Sequence, residues 1–242
     1  MGSSPTRATK EVNLKKTIDQ NFFKNWTRES AYLIGYICSD GCVHKRSGRN
    51  RSYVLTITSK DKEHLEKIRA LLKSDYAISR KIGGTGSISY NLTISNSAIC
   101  LDLISLGILP RKTLILTKLS VPGIFRADFV RGFFDADGSV YIYKVSGTPQ
   151  LKIGLVSASL GFIKFLAGII CEDLNLPPKS IHRFLNKNRV NPMYSIDFYI
   201  NDGKKLFDFM YKDNPVIFLA RKYSIFIKWN SFKRRKYVLV DL

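Results

Sequence analysis

Two stretches of this 242-residue chain carry the same acid in the same setting. Residues 32–41 read Tyr-Leu-Ile-Gly-Tyr-Ile-Cys-Ser-Asp-Gly, and residues 129–138 read Phe-Val-Arg-Gly-Phe-Phe-Asp-Ala-Asp-Gly. Gly35 matches Gly132, Asp40 matches Asp137 and Gly41 matches Gly138, each at an offset of 97 residues. Two carboxylates brought close together repel unless a cation lies between them, and hard oxygen ligands suit Mg²⁺. A single Asp-Gly is usually only a turn after a helix. Two copies in register point to a pair of divalent-metal sites.

The elements that must position these acids follow from the flanking residues. Apolar residues surround Gly35 (Leu33, Ile34, Tyr36, Ile37) and Gly132 (Val130, Phe133, Phe134), so each copy reads as a buried helix. Glycine inside a helix costs about 1 kcal/mol against alanine, so a close contact must offset it. Small residues, Ser39 and Ala136, recur one turn later. Such a stripe lets two helix backbones touch, and each stripe is the natural partner of the other across a pseudo-twofold axis. The acids then meet at one end of the pair, where the macrodipole disfavours a carboxylate and a metal would compensate. Gly41 and Gly138 read as helix-ending glycines.

Downstream of each motif the pattern also repeats. Alternating runs at Val43–Arg46 and Tyr53–Thr58, and at Ser139–Tyr143 and Leu151–Val156, predict half-buried strands. Helical spacing follows at Leu65–Leu72 and Phe162–Ile170. Two more strands follow in each half, near 76–82 and 87–95, and near 180–185 and 194–201, before closing helices at 97–106 and 204–211. The expected fold is α+β: two pseudosymmetric α-β-β-α-β-β-α halves, each with an antiparallel sheet. Residues 1–27 form an N-terminal extension and 28–108 the first half. Residues 109–124, with Pro110 and Pro122-Gly123, form a linker, and 125–242 the second half with a basic C-terminal helix.

The chain has 39 Lys+Arg against 19 Asp+Glu, a formal charge of +20, with 45% hydrophobic residues. That composition excludes a disordered basic tail and asks for a polyanionic partner, most simply nucleic acid. Cys38, Cys42, Cys100 and Cys171 match no zinc spacing and read as reduced thiols. No stretch reaches transmembrane length and Met1–Lys10 lacks an apolar signal core, so an intracellular protein without a membrane partner is expected.

The two segments resemble the signature motifs of the LAGLIDADG homing endonucleases, in the single-chain form that carries both. Val130–Gly138 is a close match and Leu33–Gly41 a looser one, with Cys38 where the family usually has its earlier acid. The resemblance implies a monomer whose two sheets form a saddle on double-stranded DNA, packed through the two LAGLIDADG helices. It implies a metal-dependent double-strand break at a long pseudo-palindromic or asymmetric site, leaving short 3′ overhangs. By the same resemblance Asp40 and Asp137 hold Mg²⁺, with Mn²⁺ as substitute, and carbonyls of Gly41 and Gly138, or of Ser39 and Ala136, complete the shell. The family's lysine after each closing helix falls on Lys112 and Lys222, with Arg111 and Arg221 as competitors. A polar residue after each half's second strand falls on Ser59 and Ala158, so the second site departs from the pattern unless Ser157 or Ser159 substitutes.

Base readout is expected from the strands, since a two-stranded ribbon fits the major groove. Along the first half the candidates are His44, Arg46, Arg49 and Arg51, then Thr56 and Thr58, then Arg80, Lys81, Ser87, Ser89 and Asn91. Along the second they are Tyr141, Tyr143 and Lys152, then His182, Arg183, Asn186, Lys187 and Arg189, then Tyr199. The Lys233–Lys236 cluster suits phosphate contact. The alternative on the same fold is a non-cleaving binder, an intron RNA maturase or a DNA-binding regulator; a basic structural protein leaves the duplicated motif unexplained.

Overall fold

Thr27 opens the first motif helix with a reciprocal cap. Its hydroxyl accepts from the Ser30 N–H at 3.0 Å, while Ser30 Oγ accepts from the Thr27 N–H at 2.8 Å, which satisfies two donors that a bare helix start leaves unpaired. The computed structural model of the chain describes residues 16–46, 52–84, 86–185 and 190–238, with side chains to 232. Helix α1 (Arg28–Asp40) is buried from Ser30 to Cys38, as an all-round apolar helix must be. Then come β1 (Gly41–Lys45), β2 (Tyr53–Ser59), α2 (Lys62–Leu71), β3 (Ile78–Ile82), β4 (Ile88–Ile94) and α3 (Ser97–Ser105).

A 3-10 turn at Gly123–Phe125 leads into α4 (Arg126–Asp137), buried from Asp128 to Asp135. The order then repeats as β5 (Ser139–Val145), β6 (Thr148–Ser157), α5 (Leu160–Asp173), β7 (His182–Phe184), β8 (Met193–Tyr199) and α6 (Ile200–Tyr211). A last helix, α7 (Ala220–Val238), carries the basic C-terminus. The sheets have the same antiparallel order, β1-β2-β4-β3 and β5-β6-β8-β7. This is the expected α+β duplication.

The crossing of α1 and α4 holds the halves together, and its symmetry is visible atom by atom. A Cβ added at Gly35 would lie 2.0 Å from Phe129 O, and one added at Gly132 would lie 1.9 Å from Tyr32 O. Phe129 is the counterpart of Tyr32 at the same 97-residue offset. A buried pair flanks this contact. Arg131 reaches Asp128 Oδ1 at 2.5 Å, Met210 O at 2.7 Å and Ile217 O at 3.2 Å, so the buried guanidinium is matched by acceptors.

Several boundaries differ from the sequence expectation. Gly41 (φ −101°, ψ 149°) and Gly138 (φ −73°, ψ 159°) do end their helices as expected, in extended conformation. Closeness requires glycine there, because a Cβ would lie 2.8 Å from Ile37 Cα and 2.5 Å from Phe134 O respectively. The strand expected to run to Asn201 stops at Tyr199, and Asp202 supplies the acid that suits the first turn of α6. The segment between the halves is packed rather than loose, with Leu116, Leu119 and Val121 all buried. No helix among the described residues is long and apolar enough to cross a membrane.

Candidate active site at the ends of the paired helices

Because α1 and α4 cross at their glycines, both run out at the same end, with β1 beginning one residue after Asp40 and β5 two residues after Asp137. Asp40 is half-buried and Asp137 exposed. Burial pushes Asp40 up to about 6, and the Asp137 carboxylate adds to the rise against the opposing pull of Lys222, Lys112 and Arg221. One cavity of ≈ 300 Å³ is lined by Asp40, Gly41, Thr58 and Lys112. A second of ≈ 120 Å³ is lined by Asp137, Ser157, Ala158 and again Lys112.

The two lysines are buried at 6% and 4% exposure, unusual for ammonium groups. Lys112 Nζ donates to Gly41 O at 2.5 Å. Lys222 Nζ donates to Phe134 O at 2.5 Å, Asp135 O at 2.8 Å and Gly138 O at 2.6 Å. The free carbonyls of a helix C-terminus attract a cation, which explains why the ammoniums settle there. Burial lowers the pKa of both, Lys222 to about 8. Arg111 and Arg221 are exposed instead, and Arg221 is paired with Asp61 at 3.1 Å.

The register corrects one expected equivalence. Ser59 pairs with Tyr90 and Ser157 pairs with Tyr194 in the matching central strands. Ser157 is therefore the counterpart of Ser59, and Ala158 matches Lys60. Both serines do the same local work, accepting from Asp61 N and Ser159 N at 3.1 Å. Ser159 caps α5 and donates to Leu116 O, away from the acids. The second half thus keeps its polar residue.

A network that motif reading overlooks backs the second acid pair. Asp135, buried, accepts from Tyr32 Oη at 2.8 Å and from Leu219 N at 2.8 Å, and Tyr32 Oη lies 2.9 Å from His64 Nε2. Its counterpart in the first motif is Cys38. The only sequence signal was that the motif keeps one acid of this pair and replaces the other.

On each sheet one face is solvent-facing, and the register decides who shares it, since paired residues point the same way. In the first half His44, Arg46, Thr56, Thr58, Asn91, Ser89 and Lys81 fall on that face. In the second Tyr141, Tyr143, Lys152, Tyr199 and His182 do. Arg80 and Arg183 do not: they pair with Tyr90 and Tyr194 and share the parity of the core-facing Leu92 and Ile196. Ser87 lies in the turn before β4. Arg49, Arg51, Asn186, Lys187 and Arg189 lie outside the described residues, as do the side chains of Lys233–Lys236. Residue-type reading misses Thr93, Gln150, Ser195 and Asp197, which share the outer face; parity across paired strands finds them.

Comparison with known proteins shows the family and the fold. The family model described as a LAGLIDADG-like domain matches twice, over residues 28–104 and 125–197. No curated protein sequence matches. Among solved structures, I-SmaMI bound to an uncleaved DNA target in the presence of calcium ions aligns with TM-score 0.55 at 14% identity, covering 90% of this chain and 95% of that one. The homing endonuclease I-GzeII in complex with its DNA target gives 0.53 at 11% identity, covering 86% and 88%. I-LtrWI bound to target DNA gives 0.53 at 14%, covering 89% and 92%. Two matched repeats, a shared fold and an acid at the end of each crossed helix place this chain in the LAGLIDADG family, as a single-chain member that carries both motifs.

Proposed function

We propose that this protein is a site-specific DNA endonuclease, which binds a long double-stranded target as a monomer and hydrolyses one phosphodiester per strand, leaving short 3′ overhangs. The observation that carries this reading is the convergence of Asp40 and Asp137 at one end of the glycine-crossed pair, each with a buried lysine beside it. DNA-bound relatives of the same fold support the partner.

The donor set fits a hard divalent cation such as Mg²⁺, with Mn²⁺ as substitute. Among the described residues no three His, Cys, Asp or Glu side chains cluster as ligands. Two carboxylates, helix-end carbonyls, water and a substrate phosphate suit Mg²⁺, which keeps much of its own shell. Lys112 and Lys222 already occupy Gly41 O and Gly138 O, and Lys222 reaches Ala136 O only at 3.5 Å, so we assign the backbone ligands to Ser39 and Ala136. Bound there, the cation supplies a polarised water and charge neutralisation for an in-line displacement. The chain's own groups orient and compensate: Asp40 and Asp137 fix the site, and the outer sheet faces set the duplex. The two ammoniums hold the helix ends and offset charge on the crowded phosphate. Lys222→Met is expected to slow cutting of one strand by about 10²-fold, measured by single-turnover cleavage with each strand labelled.

Asp40 also predicts a pH dependence. Its pKa in the metal-free fold is about 6, above its unfolded value, so its contribution to stability is present at low pH and lost as pH rises through 6. A cation must displace that proton below pH 6. Apparent divalent affinity for the DNA complex should therefore fall with pH below about 6 and level off above it, checked by metal titration of cleavage between pH 5 and 8.

The function itself is tested by incubating the protein with a randomised duplex library in Mg²⁺. Recovery of one long cut site supports the endonuclease. Selection of a site that is never cut would make the chain a binding protein on this fold.

A further inference from the structure

On a chain with twice as many basic as acidic residues, a carboxylate in the middle of the DNA-facing sheet needs a reason. Asp197 is such a group. It sits on β8, paired with Gly154, on the outer face of the second sheet. Lys152 Nζ lies 2.8 Å from Asp197 Oδ2, with side-chain exposures of 22% and 14%. The same ammonium lies 5.9 Å from the Tyr141 ring centroid and 5.3 Å from that of Tyr199. Burial works against the charge on Lys152, but hydrogen bonds to Asp197 and to the two tyrosine hydroxyls more than offset it.

A lysine has three N–H donors and no acceptor. Here the ammonium is paired with Asp197 and flanked by both tyrosine rings, which holds Lys152 inside the patch and away from a phosphate or a guanine. Asp197 Oδ2 takes Lys152 and, at 3.4 Å, the Tyr199 hydroxyl, and a carboxylate has about four acceptor sites, so acceptor capacity remains on it toward the groove. Gly154 keeps the space between β5 and β8 clear, since a Cβ there would lie 2.9 Å from Ser139 Oγ and 3.1 Å from Asp197 Oδ1. In the major groove the edge of cytosine offers an amino donor without a neighbouring acceptor, whereas adenine sets N7 beside its amino group. The equivalent place in the first sheet holds Thr93, paired with Thr56, with His44 opposite Val54. That patch has no carboxylate.

We infer that Asp197, held by Lys152, is a specificity-determining residue that selects cytosine at one position of the half-site under the second repeat, and that this patch makes the target asymmetric. The inference rests on the DNA-binding reading above.

The test is selection of bound duplexes from a randomised library in chelator, which separates binding from cutting. Wild type, Asp197→Asn, Asp197→Thr and Lys152→Gln are compared, and the salt dependence of affinity is measured for each. Wild type should select cytosine at one second-half position, and both Asp197 variants should lose about tenfold of that preference with other positions unchanged. Lys152→Gln should leave the slope of log affinity against log salt unchanged, because the lysine neutralises no phosphate. Unaltered preferences in both Asp197 variants would overturn the inference. So would selection of guanine there, with Lys152→Gln reducing the slope by about one. If wild type selects no sequence, the DNA-binding reading falls with it; if it selects a site that Asp197 does not influence, only this inference falls.

Discussion

Gly132→Ala is expected to destabilise the protein by about 3 kcal/mol. The added methyl would sit 1.9 Å from Tyr32 O and 3.0 Å from Tyr36 N. Both obstacles are backbone atoms of a buried helix, so no side chain can rotate away. Alanine gains about 1 kcal/mol of helix propensity over glycine, and that gain is the smaller effect. The helices must part by about 1 Å or more to restore contact distance, which opens gaps in a packed core. The matching change Gly35→Ala meets Phe129 O at 2.0 Å and should cost about the same. Gly168→Ala in α5 is the control: nothing lies within 4 Å of its added Cβ, so it should be neutral or stabilising. In a chain of this size the difference corresponds to about 6–12 °C in melting temperature, read by thermal unfolding. A Gly132 variant as stable as wild type would contradict the helix crossing.

Asp137→Asn and Asp40→Asn are expected to reduce double-strand cleavage by about 10³-fold or more, with DNA binding retained. Asparagine keeps the size of the side chain and one carbonyl oxygen but removes the charge that binds a hard cation. Stabilisation of transition-state charge by a metal is worth several kcal/mol, and each 1.36 kcal/mol is tenfold in rate. Binding should survive, because both variants remove a negative charge that would face phosphate. Asp40 is half-buried and already raised by its surroundings, so its neutral replacement should not harm the metal-free fold. Binding isotherms and cleavage on the same duplex separate the two effects.

Much of this was legible in the residues. Glycine in a buried helix is costly, so its recurrence with a small residue and an acid behind it exposed the helix crossing. Alternation exposed the first two strands of each sheet, and the expected positions of the other two also hold strands, although β7 is three residues long. The side of the sheet was less legible. Arg80 and Arg183 look like readers by type, and only pairing with Tyr90 and Tyr194 shows their parity. The equivalence of Ser59 and Ser157 was hidden because the turn regions of the two halves differ in length, shifting the offset by one after the first strand. Asp135 gave no local hint of its partners, since Tyr32 and Leu219 lie 103 and 84 residues away in the chain. Gly41 and Gly138 read as helix ends, which they are, but only the nearness of Ile37 and Phe134 reveals why they are glycine.

The central claim is that two carboxylates, one from each motif, serve two separate strands of one DNA site. It is tested most directly by strand-resolved cleavage of the selected target in Mg²⁺, with wild type, Asp40→Asn and Asp137→Asn side by side. Wild type should cut both strands, and either substitution should suppress double-strand breaks. Full double-strand cutting by either variant, or a bound target that wild type never cuts, would contradict the account.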